Sequence, residues 1–225
     1  MAEPEHTARS AIGIVGGTFD PVHFGHLRAA LEVREKLALD DFRLLPAGTP
    51  PHRPGTQAPA VHRLAMLQLA VEGVPGFSVD DREIRRDGNS YMVDTLEEIR
   101  RGAGDVPLLL LIGQDSANTL DSWHEWEKIF DLAHLVIMRR PESRLSWTGE
   151  LREQMQRRIV REPKRLKEQA AGLVLPLGIT QLAISSTDIR RRLRAGHSPR
   201  FLLPGAVLSY IRKNRLYFAG PARKG

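Results

Sequence analysis

The run "GIVGGTFDPVHFGHLRAALEV", from Gly13 to Val33, contains a whole structural unit in twenty-one residues. Apolar "AIGIV" (11–15) reads as a buried strand, Gly16-Gly17 as a turn, and the apolar-periodic stretch from about Gly25 to Leu37 as a helix. Two of the chain's 8 histidines, His23 and His26, stand three residues apart at the mouth of that helix. The loop matches neither G-x-x-x-x-G-K-[ST] nor G-x-G-x-x-G, which argues against a P-loop or an ordinary dinucleotide fingerprint. A zinc reading would need a third and a fourth ligand, and no H-E-x-x-H or cysteine pair supplies them. Two readings remain. The histidines cap or fill a core, or they complete a phosphate-binding corner. For the corner, Gly16 and Gly17 allow close backbone approach, and Pro21 stiffens the turn. The helix start aims free N–H groups and partial positive charge outward, and two imidazoles add donors for phosphate oxygens.

Beyond this unit, short apolar runs alternate with helical patterns. Strands are expected at "FRLLPA" (42–47), "FSVDD" (77–81), "PLLLLIG" (107–113), "HLVIM" (134–138) and "GLVLPL" (172–177). Helices are expected at 61–72, around "VDTLEEIRR", over "WHEWEKIF", across the charged stretch 148–169, and near 187–195 and 205–213. Strands that are apolar on both faces, alternating with helices, predict an α/β fold with a parallel sheet covered on both sides and a C-terminal helical segment. Such sheets bind ligands outside the carboxyl ends of their strands, and the loop after the first strand is such a place.

The length of 225 residues suits one domain, expected over 11–215, with 1–10 a disordered lead and 216–225 a flexible tail. With no cysteine there is neither a disulfide framework nor a thiolate metal site. The opening "MAEPEHTARSA" lacks the apolar stretch of a signal peptide, and no run approaches membrane-spanning length, so a cytoplasmic protein with no membrane partner is expected. The net charge of +6 favours anionic partners, whether nucleic acid, membrane surface or small phosphorylated molecules. Aromatics at 6% show no interleaving with the basic residues, and basic helix faces are usually only solvated, so nucleic acid is not expected.

"GGTFDPVHFGH" resembles the signature of the H-x-G-H nucleotidyltransferases, and "ISSTDIR" (184–190) is similar to that superfamily's second phosphate motif. From about residue 11 to 213 the chain resembles the bacterial nicotinate-nucleotide adenylyltransferases. The pieces that carry the likeness are "PAGTPPHR", "VDDREIRRDGNSYMVDTL", "LIGQDSANTLDSWHEWEKI", "VIMRRP" and "ISSTDIRRRL". The resemblance implies a Rossmann-like, doubly wound sheet and transfer of the adenylyl group of ATP to nicotinate mononucleotide. The alternatives are a related adenylyltransferase with another acceptor, or a non-catalytic nucleic-acid-binding relative.

By the same resemblance His23, His26 and Arg190 are the catalytic set. ATP would be met by Gly16, Gly17, Thr18, Phe19, the two histidines, Gly113, Asp115, Arg139, Ser185, Ser186, Thr187 and Arg190. Nicotinate mononucleotide would be met by Gly17, Arg53, Tyr91, Met92, Trp123 and His124. The family often has Lys where Arg53 stands, a point charge in place of a planar fork. Mg²⁺ is implied as a cofactor bound mainly through ATP phosphates, with no protein metal site. Several of these residues have a second reading. Ser185 to Asp188 also reads as a plain helix cap, and so does Asp115. Tyr91 and Trp123 also read as core aromatics. Of Arg139 and Arg140, one reads as surface charge, and Asp20 reads as a loop-orienting Asx residue.

Overall fold

The computed structural model describes residues 10–49, 56–139 and 145–218. One parallel sheet organises the chain. Its strands are β1 (Ile12–Gly17), β2 (Asp41–Pro46), β3 (Phe77–Val79), β4 (Leu108–Gly113), β5 (His134–Arg139) and β6 (Val174–Gly178), in the order β3-β2-β1-β4-β5-β6. The order reverses at β1–β4, and the Gly-Gly-Thr-Phe-Asp-Pro-Val-His run leaves the carboxyl end of β1. Register is set by apolar pairs: Ile14 lies opposite Leu110, Leu110 opposite Leu135, and Val136 opposite Leu175. Leu108 to Leu111 are at most 1% exposed, as strands sandwiched between layers must be.

Helices fill the connections: α1 (Phe24–Leu37), α2 (Ala60–Val71), α3 (Arg82–Arg85), α4 (Met92–Ala103), α5 (Gln114–Asn118), α6 (Ile129–Leu132), α7 (Gly149–Gln156), α8 (Ser186–Arg194) and α9 (Gly205–Lys213). The contacts group into two compact units. The first holds the described residues up to Val15, Arg34–Phe42 and Tyr91–Gly178, around the leucine-rich strand β4. The second holds Gly16–Val33, Arg43–Ser90 and the chain from Ile179 on. In it Leu44, Leu45, Met66, Leu67, Ile189, Val207 and Ile211 are fully buried.

Three expectations need correction. The charged stretch 148–169 is not one helix. α7 stops at Gln156, Ile159 bridges to Val174, and a separate 3-10 turn covers Pro163–Lys167, where Pro163 keeps Glu162 out of the helical conformation. "WHEWEKIF" breaks into a 3-10 turn (Trp126–Lys128) and the single turn α6, behind Glu125 at φ +48°. The tail does not come loose at 216. The Leu216 N–H donates to the Ile211 carbonyl at 3.0 Å, and Tyr217 is buried.

Arg100 of α4 ties the first unit together. Its guanidinium donates to the carbonyls of Leu132, Gly104, Val106 and Ala170 at 2.5–3.2 Å. Arg100→Met would leave these partly buried acceptors unpaired, at roughly 1–3 kcal/mol for each one that water cannot reach. A loss of roughly 3 kcal/mol in urea unfolding is expected, and Arg100→Lys should recover little of it because an ammonium lacks the fork. A wild-type midpoint for Arg100→Met would contradict this role.

Candidate active site

The loop after β1 is held from several directions. The Gly17 carbonyl accepts from the Ala47 N–H at 2.9 Å, and the Thr18 carbonyl from Arg63 Nη1 at 2.8 Å. The Asp20 carboxylate, 4% exposed, accepts from the Gln57 N–H at 2.8 Å, the Ala58 N–H at 3.1 Å and the Tyr217 hydroxyl at 2.6 Å. Phe19 sits between them at φ +47°, a left-handed conformation unusual for a bulky residue. A Cβ on Gly17 would press on the Phe19 ring at 3.2 Å, so glycine there makes room for it.

This bracing seats the histidines. The edge of Phe19 meets the His26 ring at 5.2 Å and 77°, and His26 stacks on His23 at 3.7 Å and 21°. The His23 carbonyl accepts the first helical N–H groups of α1, from His26 and Leu27. The glycine of H-x-G-H has a local cause, since a Cβ on Gly25 would lie 2.9 Å from His23 Nδ1. That nitrogen is buried without a hydrogen-bond partner. A neutral ring is therefore best served by carrying its proton on Nε2, the atom left to donate.

α8 closes on the same loop. Ser185 caps the helix, its Oγ accepting from the Asp188 N–H at 3.1 Å. The Ser186 hydroxyl donates to the Pro21 carbonyl at 2.9 Å. Arg190 donates through Nη1 to the Asp20 carbonyl at 2.6 Å and through Nη2 to Thr187 Oγ1 at 3.2 Å, while its Nε is buried and unpaired. The capping and phosphate readings of this motif are thus compatible. The side chains of Ser185 and Ser186 build the corner, and the backbone N–H groups of Ser186 and Thr187, at the helix start, remain as donors. Asp188 turns to Arg191 and Arg192.

The first unit holds the other predicted residues. Tyr91 is the N-cap of α4, and the Met92 N–H, first in the helix, is one of the donors that no intrahelical carbonyl can take. The Tyr91 ring lies 4.4 Å from that of exposed His124. Trp123 follows a 3-10 turn and is half-buried, so the core reading of these two aromatics does not hold, and that role falls to Trp126. Gly113 ends β4, Asp115 is exposed in the first turn of α5, and Arg139 is exposed at the end of β5. Arg53, His52 and Arg140 lie outside the described residues.

Comparison with known proteins decides the family. A cytidylyltransferase-like family model matches residues 14–192. A protein of Methylococcus capsulatus named probable nicotinate-nucleotide adenylyltransferase is 50% identical over 207 residues, covering 92% of this chain and 99% of that one. The chain belongs to the nicotinate-nucleotide adenylyltransferases. A Pseudomonas aeruginosa relative with the same name is 47% identical over 92% of this chain and 97% of its own length. The structure of Plasmodium falciparum nicotinic acid mononucleotide adenylyltransferase complexed with NaAD has a TM-score of 0.70, covering 92% of this chain and 97% of that one. At 16% identity, that likeness speaks for the Rossmann-like fold. The chain is thus a nucleotidyltransferase enzyme, and among its described residues no helix is long and apolar enough to cross a membrane.

Sequence reading missed two residues of the enzyme's loop. Arg63, fully buried, donates to the carbonyls of Thr18, Gly48 and Ala58. Its signal was there, as a cation on the apolar helix "AVHRLAMLQLAV". Tyr217 carried no such signal, being an ordinary aromatic near a chain end.

Burial pushes the His23 imidazole from its ordinary 6.5 down to about 4. Between those values the unfolded chain binds a proton that the folded chain refuses. This contribution to stability is therefore complete above about pH 6.5 and is lost as pH falls toward 4, at about 1.4 kcal/mol per unit. The gap in unfolding free energy between wild type and His23→Asn should narrow by about 2 kcal/mol from pH 7 to pH 5 in urea titrations. An unchanged gap would mean that the folded ring titrates normally.

Proposed function

We propose that the chain transfers the adenylyl group of ATP to nicotinate mononucleotide, giving nicotinate adenine dinucleotide and pyrophosphate in NAD biosynthesis. The observation that carries this reading is the stacked His23–His26 pair at the start of α1, braced by the same loop that Ser186 and Arg190 grip. That arrangement concentrates phosphate donors in a chain whose relatives carry the adenylyltransferase name.

In the proposed step a phosphate oxygen of the mononucleotide attacks the α-phosphorus of ATP, and the bond to the β-phosphate oxygen breaks. The nucleophile is already an anion, so no side chain has to remove a proton. The protein's contribution is positioning and charge stabilisation. His23, neutral near pH 7, donates from Nε2, and His26 donates to the charge that develops on the transferred group. The N–H groups of Ser186 and Thr187 and the charge of Arg190 act on the leaving pyrophosphate. Gly16, Gly17, Thr18 and Phe19 meet the nucleotide through backbone, while Gly113, Asp115 and Arg139 are assigned to the rest of ATP.

Mg²⁺ is the cofactor this reading implies. Among the described residues no group of three or more His, Asp or Glu could hold a metal; the family resemblance implies an ion carried on ATP oxygens and water. Bound that way it would offset phosphate charge. We place this chemistry in the cytoplasm, and it needs no nucleic acid or membrane.

The pyridine ring is assigned to Tyr91 and Trp123, and its carboxylate to the backbone N–H groups of Met92 and His124. A carboxylate offers these donors two acceptors, whereas an amide sets its own NH₂ against one of them. An unpaired buried donor costs roughly 1–3 kcal/mol and the lost charge-assisted bond adds to it, so the acid should be preferred at least about 10-fold in kcat/KM. A pyrophosphate-release assay with nicotinate and nicotinamide mononucleotides side by side tests this, and equal efficiencies would refute the pocket. His26→Ala should lower kcat on the order of 10²–10³-fold in the same assay. A turnover near wild type would refute its role.

A further inference from the structure

Asp20 and Tyr217 are 197 positions apart in the chain, yet their side chains meet at 2.6 Å in a buried setting. Asp20 lies inside the loop that presents His23 and His26. Tyr217 lies beyond α9, where the chain turns back through Arg215 at φ +51° and Tyr217 at φ +67°. Left-handed backbone at a bulky residue persists only where the surroundings fix it. Here they do, since Tyr217 is 8% exposed and its hydroxyl ends on a carboxylate. Packing alone would be served by phenylalanine, so the hydroxyl is the informative atom. Burial, with the bond to Asp20, pushes the phenol's pKa up, so it donates throughout the working pH range.

We propose that Tyr217 is a positioning residue: its phenol fixes the Asp20 carboxylate, which fixes Thr18–Asp20, and through Phe19 the ring of His26. Each link has a distance. The phenol and the Ala58 N–H share Asp20 Oδ1, and the Gln57 N–H takes Oδ2. Arg190 Nη1 donates to the Asp20 carbonyl and stands 3.8 Å from Oδ2, making it the cation that competes for the carboxylate. Without the phenol the carboxylate rotates toward Arg190. Phe19, one residue away at a constrained φ, then loses its edge contact with His26. The C-terminal segment therefore acts as a strap on the catalytic loop.

This inference rests on the adenylyl-transfer reading for its kinetic consequence, but not for its structural one. The test uses the full chain as wild type, Tyr217→Phe and Tyr210→Phe. The last removes a comparable bond from the same end of the chain, that between the Tyr210 hydroxyl and His62 Nδ1 at 2.9 Å, which does not touch Asp20. Turnover with ATP and nicotinate mononucleotide, thermal unfolding and the NMR resonances of the His26 ring are measured for all three. Tyr217→Phe should lower kcat about tenfold, the scale of a slight misplacement, with KM for the mononucleotide within about twofold. Its His26 resonances should move as Phe19 leaves the ring edge, whereas Tyr210→Phe should change neither. A wild-type kcat in Tyr217→Phe, unmoved His26 resonances, or an equal response in Tyr210→Phe would each overturn the proposal. If the wild type released no pyrophosphate, the functional reading would fall instead, and the His26 resonances would still decide whether Tyr217 positions the ring.

Discussion

A single buried carboxylate organises the loop after β1, to which catalysis is assigned. Asp20 gathers two backbone N–H groups and a phenol on its side chain, and a guanidinium on its carbonyl. A buried carboxylate is stable only when such donors surround it, and once surrounded it has very little freedom. Its neighbours inherit that rigidity. Thr18 is held by Arg63, Pro21 by Ser186, and the Phe19 ring between them packs against His26. Groups that must meet a dense negative charge gain most from such preorganisation, because the donors need not reorient when charge shifts during the reaction.

The stacked imidazoles gain from this as well. Two rings at 3.7 Å would repel each other if both were charged, and burial keeps His23 neutral at ordinary pH. His26 is thereby free to respond to phosphate charge without a cation against its face. The glycine between them is part of the same economy, since any Cβ there would enter the space of the His23 ring.

Much of this was legible in the sequence. Strand–loop–helix patterning pointed to the parallel sheet, because short apolar runs such as "LLLLI", bounded by Pro107 and Gly113 and alternating with helical patterns, suit strands buried on both faces. The two motifs to which phosphate binding is assigned stood out as paired oddities, one after the first strand and one after the last. Their side-chain bonds did not, because a hydroxyl that caps a helix and one that grips a loop carbonyl are spelled alike. Ser185 and Ser186 do these two different things. Arg63 stood out as a cation on an apolar helix, but its bond to Thr18 did not, and Tyr217 gave no signal at all. Their partners lie 45 and 197 positions away, and local periodicity carries nothing about contacts at that range. The helix expected over 148–169 ends at Gln156, where Ile159 leaves to bridge Val174, a long-range pairing the local charge pattern does not show; only the break at Pro163 was written in the sequence.

On the proposed reading, the loop from Thr18 to His26 and the start of α8 form one phosphate-binding corner. The full chain is titrated with inorganic pyrophosphate while amide and imidazole resonances are followed. The His26 ring and the amides of Ser186 and Thr187 should move together, with one saturation curve. Shifts confined to exposed arginines elsewhere, or a His26 ring that stays still while pyrophosphate binds, would contradict it.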